Sequence, residues 1–171
     1  METYDFQWSD LGNMEQGRPH LGKEAPVAIY RLMQFTLKDI LSKEFGLAQT
    51  NAMLCRAGEL AGREFCRNVL NTDLSFNEFF ADFGSKLIDL KIGILRVESA
   101  DMHTMHFTVS VAEDLDCSGL PILGETVCSY DEGFIAGVFN EFTGKKFTVR
   151  EIDCWAIGDR TCRFDIRPAV E

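Results

Sequence analysis

Three cysteines near the C-terminal end, Cys128, Cys154 and Cys162, stand in the run CSYDEGFIAGVFNEFTGKKFTVREIDCWAIGDRTCRF. Their spacing restricts the fold more than any other feature of the chain. A tetrahedral thiolate site needs ligands from elements that the fold brings together, and deprotonated sulfur suits zinc. The run reads as one helix followed by one β-hairpin. A shared ion would pin the helix start to the hairpin tip, and Cys117 upstream can supply a fourth sulfur.

The remaining composition is that of one globular domain over residues 1–171, with 46% hydrophobic and 26% charged residues, large enough to bury its own core. Residues 1–24 read as a polar N-terminal arm, 25–93 as a helical half, and 94–171 as sheet, a further helix and the cysteine site. A formal charge of -10, from 27 acidic against 17 basic residues, repels nucleic-acid phosphates and anionic lipid surfaces. Neither is an expected partner. The N-terminus METYDFQWSDLGNMEQ lacks the basic and apolar regions of a leader, and no stretch approaches the roughly 18 apolar residues of a spanning helix. The expected location is the cytoplasm, where six cysteines serve as thiols or metal ligands rather than as a disulfide framework.

Periodicity orders the elements. Pro26, then Val27, Tyr30, Met33, Leu37, Ile40, Leu41 and Phe45, predict a helix that Gly46 ends. A second helix follows from about Ala48 to Leu70, with Ala57, Gly58, Ala61 and Gly62 as a stripe of small residues. Ser75 and Glu78 form a capping box for a third, whose apolar face is Phe76, Phe79, Phe80, Phe83, Leu87 and Leu90. ILRVES and MHFTVSV read as strands, and the second alternates Met105, Phe107, Val109 and Val111 with wetter positions. A helix from about Val127 to Phe142 stops at Gly144, and KKFTVREIDC and TCRFDIRP make a hairpin around WAIGDR. The order ααα-ββ-α-ββ is an α+β pattern with a small antiparallel sheet of about four strands packed against helices.

That order places Cys154 and Cys162 at the hairpin tip and Cys128 in the first turn of a helix, where the helix dipole favours thiolate. The eight-residue step from Cys154 to Cys162 is wider than the usual zinc knuckle, and buried cysteine also serves simply as a small apolar residue. Cys55 and Cys66, inside a helical pattern, read as core. His103 and His106 read as polar residues on an exposed strand face. No GxGxxG cradle is present for a dinucleotide, which argues against direct reductase activity. The cysteine spacing matches no compact ferredoxin run.

From Cys117 to Ile166 the chain resembles the 4-vinyl reductase domain, also called the hydrocarbon-binding domain. The matching features are Cys128 followed by GFIAG, then TGKKFTVRE, then Cys154 with AIGD and Cys162; Gly133, Ala136, Gly137, Glu151, Gly158 and Asp159 stand in register. GRPHLG, YRLMQFTL and LCRAGELAG resemble the family's helical half more loosely. The resemblance implies a fold similar to a subunit of the TRAPP vesicle-tethering complex, a tendency to form homodimers, an apolar pocket between helices and sheet and, in several members, zinc. In phenol-responsive regulators of this family three cysteines and one acidic residue hold the zinc. The three carry over to Cys128, Cys154 and Cys162. The fourth position stays open between Cys117, favoured for softness and proximity, and Asp116 or Glu98.

Those regulators add an ATPase module and a DNA-binding segment that this chain lacks, so the expectation is a stand-alone binding domain, or one that works with a separate signalling protein. Fourteen phenylalanines make either a solid core or an aromatic-lined cavity. Given the family, Phe65, Phe79, Phe83, Phe134 and Val138 are expected to line a pocket for a small apolar ligand. The small-residue stripe suggests a close helix neighbour, in a homodimer or within the chain. The function expected is non-enzymatic binding or sensing of an apolar or aromatic molecule, with structural zinc. The alternative is an accessory protein or reductase of (bacterio)chlorophyll and tetrapyrrole vinyl-group metabolism.

Overall fold

Helix-stop and cap residues set most of the element boundaries. The computed structural model describes residues 3–169, which fall into two units, one reaching to Ile40 and one beginning at Leu41. The first unit holds a 3-10 turn (Trp8–Leu11), the one-turn helix α1 (Met14–Gly17) and most of α2 (Val27–Phe45). Asn13 caps α1, its Oδ1 accepting the Gln16 N–H at 3.0 Å. No residue of α2 is fully buried. Its stripe Ile29, Leu32, Met33, Leu37 and Ile40 stays 48–63% exposed.

The second unit continues with α3 (Leu47–Val69), α4 (Phe76–Asp89), β1 (Ile94–Asp101), β2 (His106–Ala112), α5 (Ser129–Thr143), β3 (Phe147–Asp153), a 3-10 turn (Trp155–Ile157) and β4 (Cys162–Pro168). Apart from the added one-turn α1, this is the expected ααα-ββ-α-ββ order. Gly46 separates α2 from α3 at φ 81°, a left-handed conformation that glycine adopts without strain. The capping box opens α4 as expected, with Glu78 accepting the Ser75 N–H at 3.1 Å. The strands form one antiparallel sheet in the order β1-β2-β4-β3. Met105 lies in the turn before β2, at φ 55°, so the strand starts one residue later than the alternation suggested. Ser110 is buried along with Val109 and Val111, because β2 is flanked by β1 and β4.

Glycines decide how the helices meet. Gly58 and Gly62 of α3 face Gly133 and Gly137 of α5 so closely that backbone touches backbone. A Cβ at Gly133 would lie 1.8 Å from the Cys55 carbonyl oxygen, and one at Gly62 would lie 2.0 Å from that of Phe134. The glycine half of the small-residue stripe is therefore covered by α5 of the same chain and is closed to a second copy. α5 also packs on β3, and α4 on β1. Asn140 joins three elements, its amide nitrogen donating to Glu59 on α3 at 3.1 Å and its oxygen accepting the Phe147 N–H of β3 at 2.7 Å.

Between helices and sheet lies an aromatic core. Phe79 stacks on Phe142 with centroids 3.7 Å apart, Phe80 tilts onto Phe139, and Phe139 reaches Phe107 and Phe147 of the sheet. Such contacts add about 0.5–1.5 kcal/mol per pair to simple burial. No helix among the described residues is long and apolar enough to cross a membrane.

The α3–α5 contact yields a direct test. Gly133→Ala must drive the helices apart and should destabilise by about 3 kcal/mol, within the usual overpacking range, lowering the melting temperature by roughly 6–12 °C in a chain of this size. Gly84→Ala on α4, whose Cβ would meet nothing closer than 3.7 Å, should be neutral or gain up to about 1 kcal/mol from helix propensity. Equal melting shifts for the two variants would contradict the contact.

Candidate metal and ligand site

Four chain segments converge at one end of the sheet. Cys162 begins β4, where it pairs with Val111 of β2. Cys154 follows β3 directly and caps the 3-10 turn Trp155–Ile157, after which Gly158 reverses the chain at φ 108°. The segment 113–128 is tied down at both ends. Asp114 Oδ1 accepts the N–H groups of Asp116 at 2.8 Å and Cys117 at 3.1 Å, which fixes the turn presenting Cys117. Further on, Trp155 donates its ring N–H to Leu120 O, and Leu123 N–H donates to Ala156 O, so the loop stays against the hairpin tip.

Cys128 sits at the N-cap of α5, one position before the first turn in which the sequence places it. Its N–H donates to Glu151 Oε2 at 3.1 Å. Glu151 faces inward because β3 alternates Phe147, Val149 and Glu151 toward the core. Its own N–H donates to Glu132 Oε1 at 2.7 Å.

The Sγ atoms of Cys117, Cys128, Cys154 and Cys162 all lie within 4.8 Å of one another, and all four residues are buried. Cys128 Sγ is 3.9 Å from Cys154 Sγ and 3.8 Å from Cys162 Sγ, and Cys117 Sγ is 3.0 Å from Cys162 Sγ. A zinc ion with Zn–S bonds of about 2.3 Å needs sulfurs about 3.8 Å apart. Two of these separations already match, and the third must widen slightly. All six cysteines are free thiols.

Neither Asp116 nor Glu98, the other options for the fourth position, belongs to the converging set. Glu98 is on β1 and accepts from Arg163 Nε at 2.7 Å. Among the acidic residues next to the sulfurs, Glu151 is 6% exposed, with Oε1 buried and unpartnered. Sequence reasoning gave it no role, although the alternation Phe147-x-Val149-x-Glu151 marks it as pointing inward.

The four sulfurs perturb one another's acidity. Hydrogen bonds from Cys117, Cys128 and Cys162 hold the Cys154 thiol far below its usual range, while Cys117, Cys154 and Cys162 push Cys128 up.

Beside the sulfurs is a cavity of about 20 Å³, lined by Phe83, Leu87, Phe134, Ile135, Asp114 and Asp131 among others. That is room for a water molecule. Of the expected pocket residues, Phe83 and Phe134 line it. Phe65, Phe79 and Val138 are buried in the closed core. His106 is partly exposed and bonds to Asp165 at 2.6 Å, as befits a polar strand residue.

Residues 107–168 match the family model of the 4-vinyl reductase domain, a stretch that contains all four cysteines. The fold is shared with solved structures, among them the three that follow. The phenol-responsive sensory domain of the transcription activator PoxR, with phenol, superposes with a TM-score of 0.64 at 16% identity over 84% of this chain and 75% of that one. A vinyl-4-reductase family protein from Methanocaldococcus jannaschii gives 0.62 at 15% identity over 99% of each chain. A trafficking protein particle complex subunit 3 from Naegleria fowleri, covalently bound to palmitic acid, gives 0.61 at 13% identity over 84% of this chain and 95% of that one.

Glu151 makes the pH behaviour of the site measurable. Burial first of all, reinforced by Cys154 and opposed by the hydrogen bonds from Cys128, lifts its carboxyl from 4.5 to about 8. The folded state thus binds a proton that the unfolded state releases earlier. In metal-stripped protein, stability contributed by this group should be present below about pH 4.5 and be lost as pH rises through about 8. Glu151→Gln keeps an acceptor for the Cys128 N–H and should flatten that slope. Glu151→Ala leaves the N–H unmatched, at a cost of about 1–3 kcal/mol. Urea melts across pH distinguish the two, and identical slopes in wild type and the Gln variant would refute this account.

Proposed function

From the 4-vinyl reductase domain that the chain carries over residues 107–168, we propose that this protein is a non-catalytic binding module for a small apolar molecule, braced by a structural zinc held by Cys117, Cys128, Cys154 and Cys162. The observation that carries the zinc reading is the convergence of four buried sulfurs from separate elements. One disulfide would require only two of them. Four thiolates complete the shell of zinc and leave no open position for substrate, which favours bracing over catalysis. The ion would join the N-cap of α5 to the tip of the β3–β4 hairpin and to the 113–128 loop.

The ligand reading rests on the fold neighbours, one with bound phenol and one with palmitic acid, and on the cavity beside Phe83 and Phe134. A phenol-sized guest must displace those rings, because the space is water-sized. Non-covalent binding is the better match here. Cys66 on α3 is fully buried, and burial, then Glu141, pushes its thiol up to about 11, which leaves little thiolate for acylation.

For assembly we favour a homodimer through α2. Its exposed apolar stripe is continuous, because the Thr36 hydroxyl folds back onto Leu32 O at 2.7 Å. A second copy offers an identical stripe, and isologous pairing of this kind is the commonest symmetry.

Protein purified without chelator should retain tightly bound zinc by elemental analysis. Cys154→Ser should lose that zinc and melt at lower temperature, and a zinc-free, equally stable wild type would sink the zinc reading. Phenol and palmitate, titrated separately and followed by ligand-observed NMR, should show saturable contact with the protein for at least one; neither doing so would remove the ligand reading. Light scattering should give twice 19.3 kDa for wild type and a monomer for Leu32→Glu, whereas a monomeric wild type at micromolar concentration overturns the dimer.

A further inference from the structure

One pair of acids, the buried Asp114 and the half-buried Asp131, has no place in the four-sulfur site. Asp114 and Asp131 bring carboxylate oxygens to within 4.8 Å of each other and of Cys128 Sγ. Asp131 is one helical turn beyond Cys128 on α5, and Asp114 is in the turn that presents Cys117. Both line the cavity of about 20 Å³. Asp131 Oδ2 is buried with no hydrogen-bond partner. Such an oxygen is destabilising, and more so when charged, unless something occupies the space beside it.

The charges around Asp131 make the deficit larger. The groups acting on it, Asp114, Asp116, Glu151 and Cys117, are all acidic. A divalent ion among the four sulfurs neutralises only half of the thiolate charge, so filling that site leaves the neighbouring carboxylates in a still more negative field. What is missing is positive charge, and the space for it is the size of an ion or a water molecule. Sulfur can bridge two ions, and a set of one thiolate and two carboxylates suits a cation of borderline softness.

We infer that Cys128, Asp114 and Asp131 form a second divalent-cation site that shares the Cys128 sulfur with the four-cysteine centre. The inference rests on the reading of that centre as a metal site. Zinc is the cation best matched by sulfur together with oxygen. The second ion has fewer protein ligands and binds more weakly than the first, with water from the cavity completing its shell.

Native mass spectrometry of metal-stripped protein during titration with zinc alone tests it. Wild type should take up two ions per chain in separate steps, while Asp131→Asn and Asp114→Asn each stop at one. One ion in wild type overturns the second site and leaves the four-cysteine reading standing; none overturns both; two in all three proteins places the second ion elsewhere and also overturns it. Cobalt(II) loading of the wild type supplies a measurement independent of how the variants fold. Two ions joined through one sulfur couple magnetically, so the paramagnetic resonance signal per cobalt should fall by more than half as the second equivalent enters. A signal that doubles shows two isolated ions and refutes the shared sulfur.

Discussion

The contact between α3 and α5 is the constraint on which the rest of the second unit depends. Helices whose side chains interdigitate sit about 8–10 Å apart, but here four glycines remove the side chains and the backbones meet directly. Carbonyl oxygens of one helix then approach Cα atoms of the other, a weakly favourable contact that tolerates no added methyl. With α5 fixed in this way, its N-cap lies beside the inward face of β3. There Glu151 receives the Cys128 N–H, and the sulfur turns toward the other three. Helix packing and cysteine geometry are in this sense one problem.

Charge is the second constraint. Four thiols, Asp114, Asp116 and Glu151 are buried within a small volume, in a chain that is already strongly acidic. Burying like charges together is costly unless protons or cations compensate. The metal-free molecule relies on protons, as the raised Asp114, at about 7 chiefly through its own burial, indicates. Cations would replace those protons, so metal uptake and proton release are linked.

The sequence made much of this legible, and for identifiable reasons. Gly46, Gly144 and the Ser75–Glu78 box are local signals, and each acts where expected because a helix end is decided by its immediate neighbours. The convergence of Cys154 with Cys162 was readable because a hairpin tip leaves its flanking residues facing each other, whereas Cys117 stood beside Asp116 and Glu98 as open alternatives. What local reasoning could not reach depends on distant partners. Gly58 and Gly62 announced a close neighbour, but nothing near them in the chain identified it as Gly133 and Gly137. The phenylalanines likewise announce burial without saying whether rings fill the space or surround it; Phe79 fills it by stacking on Phe142.

The glycine-lined face of α3 also has a consequence in time. Its partner α5 lies beyond α4 and two strands in the chain, so during synthesis α3 emerges long before the surface that covers it exists. The set of four sulfurs is complete later still, since Cys162 belongs to β4. Contacts this distant in sequence slow folding and leave incomplete chains with exposed apolar surface. The nascent protein must therefore pass through a stage in which its helices are formed but uncommitted, and only emergence of the β3–β4 hairpin closes the structure.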